Sequence, residues 1–247
     1  MTKTLLHTCC APCSVACIQL LRAEGIEPVS YWYNPNIHPY QEYKARRDTL
    51  MAYAPSVGVE LIVQEDYGLR DFCRAVAEDI DRRCGHCYRL RLEQTARYAS
   101  EHGFESFSST LFVSPYQNHE LLRQTAEEVS VQYGVTFLYR DFRPGFRQGQ
   151  QEARELGLYM QKYCGCVFSE EDRYAKQISR DMQAPESICK LTITYIMVNP
   201  TVALLARLLG FSFGKSKAPG QQMISAAREL PSCRAGPVPR APYVVSW

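Results

Sequence analysis

A chain of 247 residues that is 46% hydrophobic and only 22% charged has ample material for a packed core, which excludes an intrinsically disordered protein. Its net charge of +2 carries no global signature of a nucleic-acid binder, but the distribution is uneven: residues 1–182 hold 21 Lys and Arg against 24 Asp and Glu, residues 183–247 hold 7 against 2. Eleven cysteines, an odd number set in close pairs with no credible signal peptide, exclude a secreted disulfide scaffold and point to cytoplasmic thiols used as ligands or redox groups.

The first predicted element is a short apolar strand, Leu5-Leu6-His7, that runs into Thr8-Cys9-Cys10-Ala11-Pro12-Cys13. Pro12 presets the backbone for a helix beginning near Cys13, with Val15, Ile18 and Leu21 at helical spacing and Gly25 closing it. A helix N-terminus favours thiolate over thiol, the form that binds metal or attacks a disulfide. Residues 28–33 read as a second strand ended by Asn34-Pro35-Asn36, followed by a polar helix from Tyr40 to Tyr53. A third strand is expected over 59–64 and a helix over 69–80, then a helix from Cys84 to His102. Residues 104–111 suggest a fourth strand, 118–133 a helix and 135–139 a fifth strand.

Strands separated by helices imply a parallel sheet, whose ligands sit at the carboxyl ends of the strands. The Cys9-Cys10 turn, Asn34-Pro35-Asn36, Ser108-Ser109-Thr110 and Asp141-Phe142-Arg143 all fall at predicted strand ends, which puts them on one rim. From Arg147 to Met182 helices are expected around a Tyr163–Cys166 loop, with Ser169 as an N-cap. Beyond Met182 the chain changes character. Residues 188–198 and 201–209 are apolar, but Asn199-Pro200 divides them into pieces too short for the ~20 residues of a membrane span. A second unit, 183–247, partly helical with a poorly ordered end, is therefore set apart from an α/β domain over 1–182.

Three cysteine clusters carry the chemistry. Cys84-Gly85-His86-Cys87 at a helix start brings two sulfurs to one side, which suits zinc, an iron–sulfur cluster or a redox dithiol. Cys164-Gly165-Cys166 allows two ligands or a strained, easily reduced disulfide. The adjacent Cys9 and Cys10 suit a metal cluster, while Cys10-Ala11-Pro12-Cys13 matches the C-x-P-C of thioredoxin-like sites and keeps a thiol–disulfide oxidoreductase open as an alternative. A zinc-stabilised RNA-binding module without catalysis is a third. Cys17, Cys73, Cys189 and Cys233 are isolated, and His7, His38, His102 and His119 are read as core or surface residues. Neither G-x-G-x-x-G nor G-x-x-x-x-G-K-[ST] follows the first strand, so ATP or NAD is not expected at that turn.

These pieces, in this order, resemble the QueH family of epoxyqueuosine reductases. The likeness runs from Leu5–Ser14 through Asn34–Pro39, Glu42-Tyr43, Arg83–Tyr88 and Arg91-Leu92 to Ser109–Leu111, Ser114–Asn118, Asp141–Arg143 and Tyr163–Cys166 with Ser169–Glu171, roughly over 4–175. The resemblance implies reduction of the epoxide of epoxyqueuosine to the alkene of queuosine at the wobble base of tRNA, the last step of queuosine biosynthesis. It implies a [4Fe–4S] cluster, without cobalamin, on Cys9, Cys10, Cys84 and Cys87. Cys164 and Cys166 would then be a redox-active pair, forming a disulfide, or hold a second, mononuclear iron. A low-potential electron donor of ferredoxin or flavodoxin type is implied as well, with no membrane partner. Asp141 is the carboxylate expected to ligate metal or deliver protons, the alternative being a solvated ion pair with Arg140 or Arg143. The expected fold is α/β: a Rossmann-like (HUP or PP-loop-like) parallel five-stranded sheet flanked by helices, with a helical C-terminal part carrying the Cys164-x-Cys166 loop. Tyr31, Trp32, Tyr33, Tyr40 and Tyr43, with Arg46, Arg47, Arg82, Arg83, Arg89 and Arg91, are the pool from which nucleotide contacts could come, but each is more often core or a solvated helix face, so none is assigned as a binding residue.

Overall fold

Each short strand of this chain is followed by a helix that carries it back to the start of the next, so every pairing in the sheet is parallel. The computed structural model describes residues 3–182, and the apolar runs at 188–198 and 201–209 lie outside the described residues. The strands β1 (Lys3–His7), β2 (Glu27–Trp32), β3 (Leu61–Val63), β4 (Ser106–Ser109) and β5 (Thr136–Phe137) form one sheet in the order β3-β2-β1-β4-β5. The central β1 sets Leu5 beside Val29 on one side and beside Phe107 on the other, and Leu5 and Leu6 are fully buried.

The helices are α1 (Ala11–Ala23), α2 (Tyr40–Ser56), α3 (Leu69–Val76), α4 (Arg83–Glu101), α5 (His119–Tyr133), α6 (Phe146–Glu155) and α7 (Val167–Met182). Helix α1 packs against α2 and α6, and α4 packs against α5. The order reverses between β1 and β4, where connections leave toward opposite faces and a crevice opens at the strand ends. The first cysteines sit at this crevice. Among the described residues, no helix is long and apolar enough to cross a membrane.

Several boundaries differ from the sequence reading, and four of them have a plain local reason. Pro12 occupies a position inside the first turn of α1, so the helix starts at Ala11 and Cys10 is its N-cap, two residues before the expected start. Helix α3 ends at Val76, because the Asp79 side chain accepts from the Arg82 N–H and opens a separate 3-10 turn over Ile80–Arg82. The fourth strand stops at Ser109, whose hydroxyl accepts from the Leu111 N–H and starts another 3-10 turn, Thr110–Val113. Helix α7 begins at Val167, so Ser169 lies inside its first turn rather than at the cap.

Candidate functional site

The turn after β1 gathers three sulfurs. Cys9, Cys10 and Cys13 are buried, and their Sγ atoms all lie within 4.8 Å of one another, Cys9 and Cys10 at 3.8 Å. Cys9 is fixed across the crevice by Thr110: its backbone N–H donates to Thr110 Oγ1 at 3.1 Å, and that hydroxyl lies 3.5 Å from Cys9 Sγ as a donor. Hydrogen bonds from Cys10, Cys13 and Thr110 hold the Cys9 thiol well below its ordinary range, against the cost of burial. Burial pushes the Cys10 thiol up, and the sulfur contacts with Cys10 and Cys9 push Cys13 up. Of the three, Cys9 is the sulfur that these hydrogen bonds favour as thiolate. Gln161 Nε2 donates to Cys13 Sγ at 3.3 Å. Three clustered, buried soft donors suit zinc or an iron–sulfur centre.

A second group forms where α4 begins. Cys84 is exposed, while Cys87, one turn on, is buried with Cys166, Phe72 and Val76. Burial raises the Cys84 thiol, and charge on Cys164 and Cys166 raises it further; the same forces push Cys87 up to about 12. Four cysteines from two distant segments thus share one electrostatic neighbourhood. Among the described residues, the sulfurs that approach within 4.8 Å as a group of three are those of Cys9, Cys10 and Cys13, so the implied quartet of Cys9, Cys10, Cys84 and Cys87 is not drawn together to that distance. All nine described cysteines are free thiols.

Two buried arginines serve these groups. Arg91, one helical turn after Cys87, is 1% exposed and donates to Cys87 Sγ at 3.0 Å and to the Cys87 carbonyl at 3.2 Å. Its charge also acts on Cys164 and Cys9, so both cysteine groups border one cation. Arg46 pairs with Glu42 at 2.7 Å and donates to the carbonyls of Cys164 at 2.8 Å and Tyr163 at 2.9 Å. The Cys164-Gly165-Cys166 loop is held from the other side by the His38 N–H, which donates to the Gly165 carbonyl at 2.7 Å, and by Tyr163, whose hydroxyl donates to the His38 carbonyl at 2.6 Å.

The sequence places Arg46 and Arg91 in a pool of possible nucleotide contacts, with core or a solvated helix face as the commoner alternative for each. Both are buried, each four residues after its partner on the same helix, and that spacing was the available signal. Tyr31, Trp32, Tyr33 and Tyr43 are core residues, while Tyr40 is exposed. Asp141 is exposed and pairs with Arg143 at 2.7 Å, whose hydrogen bonds hold the carboxyl below its usual range. His7 is fully buried, bonded to Ser109 at 2.9 Å and to Tyr33 and Asn34 at 3.2 Å, and burial lowers it to about 4, so it stays neutral in the core.

Above the cysteines lies a cleft of about 1100 Å³ with Cys9, Cys13 and Cys164 in its lining. The walls come from α6, the Gln161–Tyr163 segment, the start of α7 and the Ser114–Gln117 turn. Gln117 Nε2 donates to Cys164 Sγ at 3.3 Å.

The family model described as epoxyqueuosine reductase QueH matches residues 4–172. Epoxyqueuosine reductase QueH of Dehalococcoides mccartyi is 40% identical over 174 residues, which is 70% of this chain and 96% of the relative. The protein of the same name from Thermotoga maritima is 36% identical over 191 residues, 73% of this chain and 97% of the relative. That of Haemophilus influenzae is 35% identical over 179 residues, 69% of this chain and 72% of the relative.

Proposed function

This chain belongs to the epoxyqueuosine reductase QueH family, oxidoreductases of queuosine biosynthesis, and from that premise we propose that it reduces the epoxide of epoxyqueuosine to the alkene of queuosine at the wobble position of tRNA, using an iron–sulfur cluster and a second redox or metal centre. The reaction takes two electrons and two protons and releases water. The observation that carries the reading is the floor of the cleft, where cysteines from both ends of the domain, Cys9 and Cys13 from the first turn and Cys164 from the last loop, face one space.

The donor chemistry fits a [4Fe–4S] cluster: clustered, buried sulfurs with the buried Arg91 guanidinium acting on Cys9. Cys9, Cys10, Cys84 and Cys87 are assigned to hold it, and the position of Cys13 beside the first two makes it a further donor at that turn. Such a cluster supplies single electrons at low potential when bound. Because it delivers them one at a time, a second store is useful, and Cys164 with Cys166 is assigned that role, as a dithiol or as ligands of a mononuclear iron. The electrons come from a ferredoxin- or flavodoxin-type donor.

The chain's own residues do the rest. Thr110 fixes the Cys9 sulfur, and Gln161 and Gln117 supply neutral donors to Cys13 and Cys164. Arg46 holds the loop that carries Cys164. Proton delivery by Asp141 competes with its exposed ion pair to Arg143: Asp141→Asn should lower turnover with bound iron unchanged if the carboxyl handles protons, and unchanged turnover leaves it the ion pair alone.

A thiol–disulfide oxidoreductase acting through Cys10 is disfavoured on physical grounds. Its attacking thiol would be 1% exposed and held protonated by burial. The test of the reductase is anaerobic purification with absorbance, iron and sulfide analysis, followed by incubation with epoxide-containing tRNA and a chemical reductant. A brown protein with about four irons and four sulfides per chain that forms queuosine is the expected result. A colourless chain that resists reconstitution and leaves the epoxide intact overturns it.

A further inference from the structure

The cleft over the cysteines is charged in a way the rest of the body is not. Residues 1–182 carry a surplus of acids, yet the cations Arg147, Arg154, Lys162 and Arg173 line this cleft, and its one lining carboxylate, Asp172, is already paired with Arg83. All four cations are exposed, and among the described residues none has a carboxylate within 4.0 Å. Many arginines elsewhere are neutralised: Arg22, Arg47, Arg89, Arg123 and Arg140 each sit against a carboxylate. A concentration of unanswered positive charge in a cleft costs self-repulsion and favours an anionic occupant.

The wall is also patterned. Arg147, Gln150, Gln151 and Arg154 all line the cleft and fall at i, i+3, i+4 and i+7 on α6, one helical face of cations and amides. The opposite face of α6, Gly149 and Ala153, is buried. At the mouth, Tyr116 is 84% exposed and rests edge-to-face on Phe146 at 6.1 Å, leaving a bare aromatic ring beside Arg147 in the same lining. At about 1100 Å³ the space is at or beyond the upper end of ordinary small-molecule pockets, roughly 300–1,000 Å³. Guanidinium groups for phosphates, amides for base and sugar edges, and an exposed ring for stacking are the set that recognises unpaired nucleotides.

We propose that this cleft is a single-stranded RNA site, in which Arg147, Arg154, Lys162 and Arg173 hold backbone phosphates and Tyr116 stacks on a base flanking the nucleotide that reaches the cysteine floor. The identity of that RNA as an anticodon loop rests on the reductase reading; the surface itself rests on charge, period and exposure.

The test uses the full chain and a fluorescently labelled, unmodified anticodon stem-loop hairpin, with affinity measured across a salt series. The Arg147→Gln/Arg154→Gln double variant should bind about tenfold or more weakly, with a salt slope shallower by ~1.4, since each cation lost from a single-strand contact removes ~0.7. Tyr116→Ala should weaken binding about fivefold to a hundredfold at every salt concentration with the slope unchanged, and Tyr116→Phe should restore it. Arg70→Gln, an exposed cation of α3 outside the cleft lining, should bind as the parent does. Parent-like affinity and slope in both cleft variants overturn the proposal, as does a parent chain that fails to bind the hairpin at low salt. Displacement of the hairpin by polyglutamate as readily as by unlabelled RNA marks a surface for acidic protein and overturns it too. Binding needs neither the epoxide nor a cofactor, so the two readings fail separately. A chain that binds through the cleft yet never reduces the epoxide sinks the reductase; one that reduces it while the cleft variants bind normally sinks the cleft.

Discussion

Arg91 meets no carboxylate among the described residues, and a guanidinium keeps its proton in any protein interior. Its charge is met by the Cys87 carbonyl and sulfur and acts on Cys164 and Cys9, so it favours negative charge on the cysteines around it. Arg91→Met should lower iron retention about tenfold to a hundredfold, the usual cost of losing an outer-shell partner, with Arg91→Lys between the two. Iron per chain after anaerobic gel filtration reads this directly, and equal retention in all three would reduce Arg91 to packing. His7 makes a second prediction at this scale. Its folded pKa is lowered to about 4 from 6.5 by burial, so the unfolded chain takes up a proton first as pH falls. The stability it contributes is complete above pH 6.5 and is lost toward pH 4 at ~1.4 kcal/mol per pH unit. His38, also lowered to about 4 by burial, adds in the same direction. Denaturation midpoints that stay flat between pH 6.5 and 5 would refute both assignments. The pairs Cys87/Arg91 and Glu42/Arg46 were legible as i, i+4 spacings. Which of the first-turn sulfurs is favoured as thiolate was not, because that depends on how Cys10 and Cys13 pack against Cys9, with Thr110, a hundred and one residues away, adding to it.

The element that depends most on long-range support is the Cys164-Gly165-Cys166 loop. Gly165 sits at φ +151°, a conformation that L side chains avoid, and a Cβ there would lie 3.2 Å from Ile37 Cγ1. Its carbonyl neighbours are tied to Arg46, which also neutralises the buried Glu42. Arg46→Met leaves that carboxylate without its cation and frees both carbonyls, so it should cost about 3–5 kcal/mol in chemical denaturation and expose Cys166 to alkylation. Parent-like alkylation rates for Cys166 would show the loop held by other means. Most elements were readable from spacing and punctuation, since α1 shows apolar residues at helical spacing and α1, α2, α4 and α5 each end within two residues of a glycine. Strand length was not. Residues 135–139 gave only Thr136–Phe137, because β5 is an edge strand paired to β4 alone, and pairing rather than propensity sets its extent. The close seat of α6 on α1, with Gly149 where a Cβ would meet Ala16 Cβ at 2.9 Å, is likewise a matter of docking that no local pattern announces.

At the scale of the whole molecule the question is which part of the chain the site needs. The family match ends at residue 172, and the sheet, both cysteine groups and the cleft lie within residues 3–182. The relatives from Dehalococcoides mccartyi and Thermotoga maritima are covered over 96% and 97% of their own length by alignments of 174 and 191 residues, so a protein of this family is complete without a counterpart to most of 183–247. Those residues carry 7 Lys and Arg against 2 Asp and Glu, a charge balance opposite to that of the body. We therefore propose that 1–182 is the catalytic unit and that the remainder acts on it at most through charge. A chain ending at Met182 should melt cooperatively, retain the same iron per chain and convert epoxide-containing tRNA with unchanged kcat. Its KM should rise only at low salt, where a screened, nonspecific attraction of the basic segment for RNA would be felt, and should converge on the full chain's value once the Debye length falls below ~8 Å near 0.15 M salt. Loss of iron or of cooperative melting in the shortened chain would show that the boundary is wrong. A kcat that collapses while iron is retained would give the basic segment a part in the reaction itself.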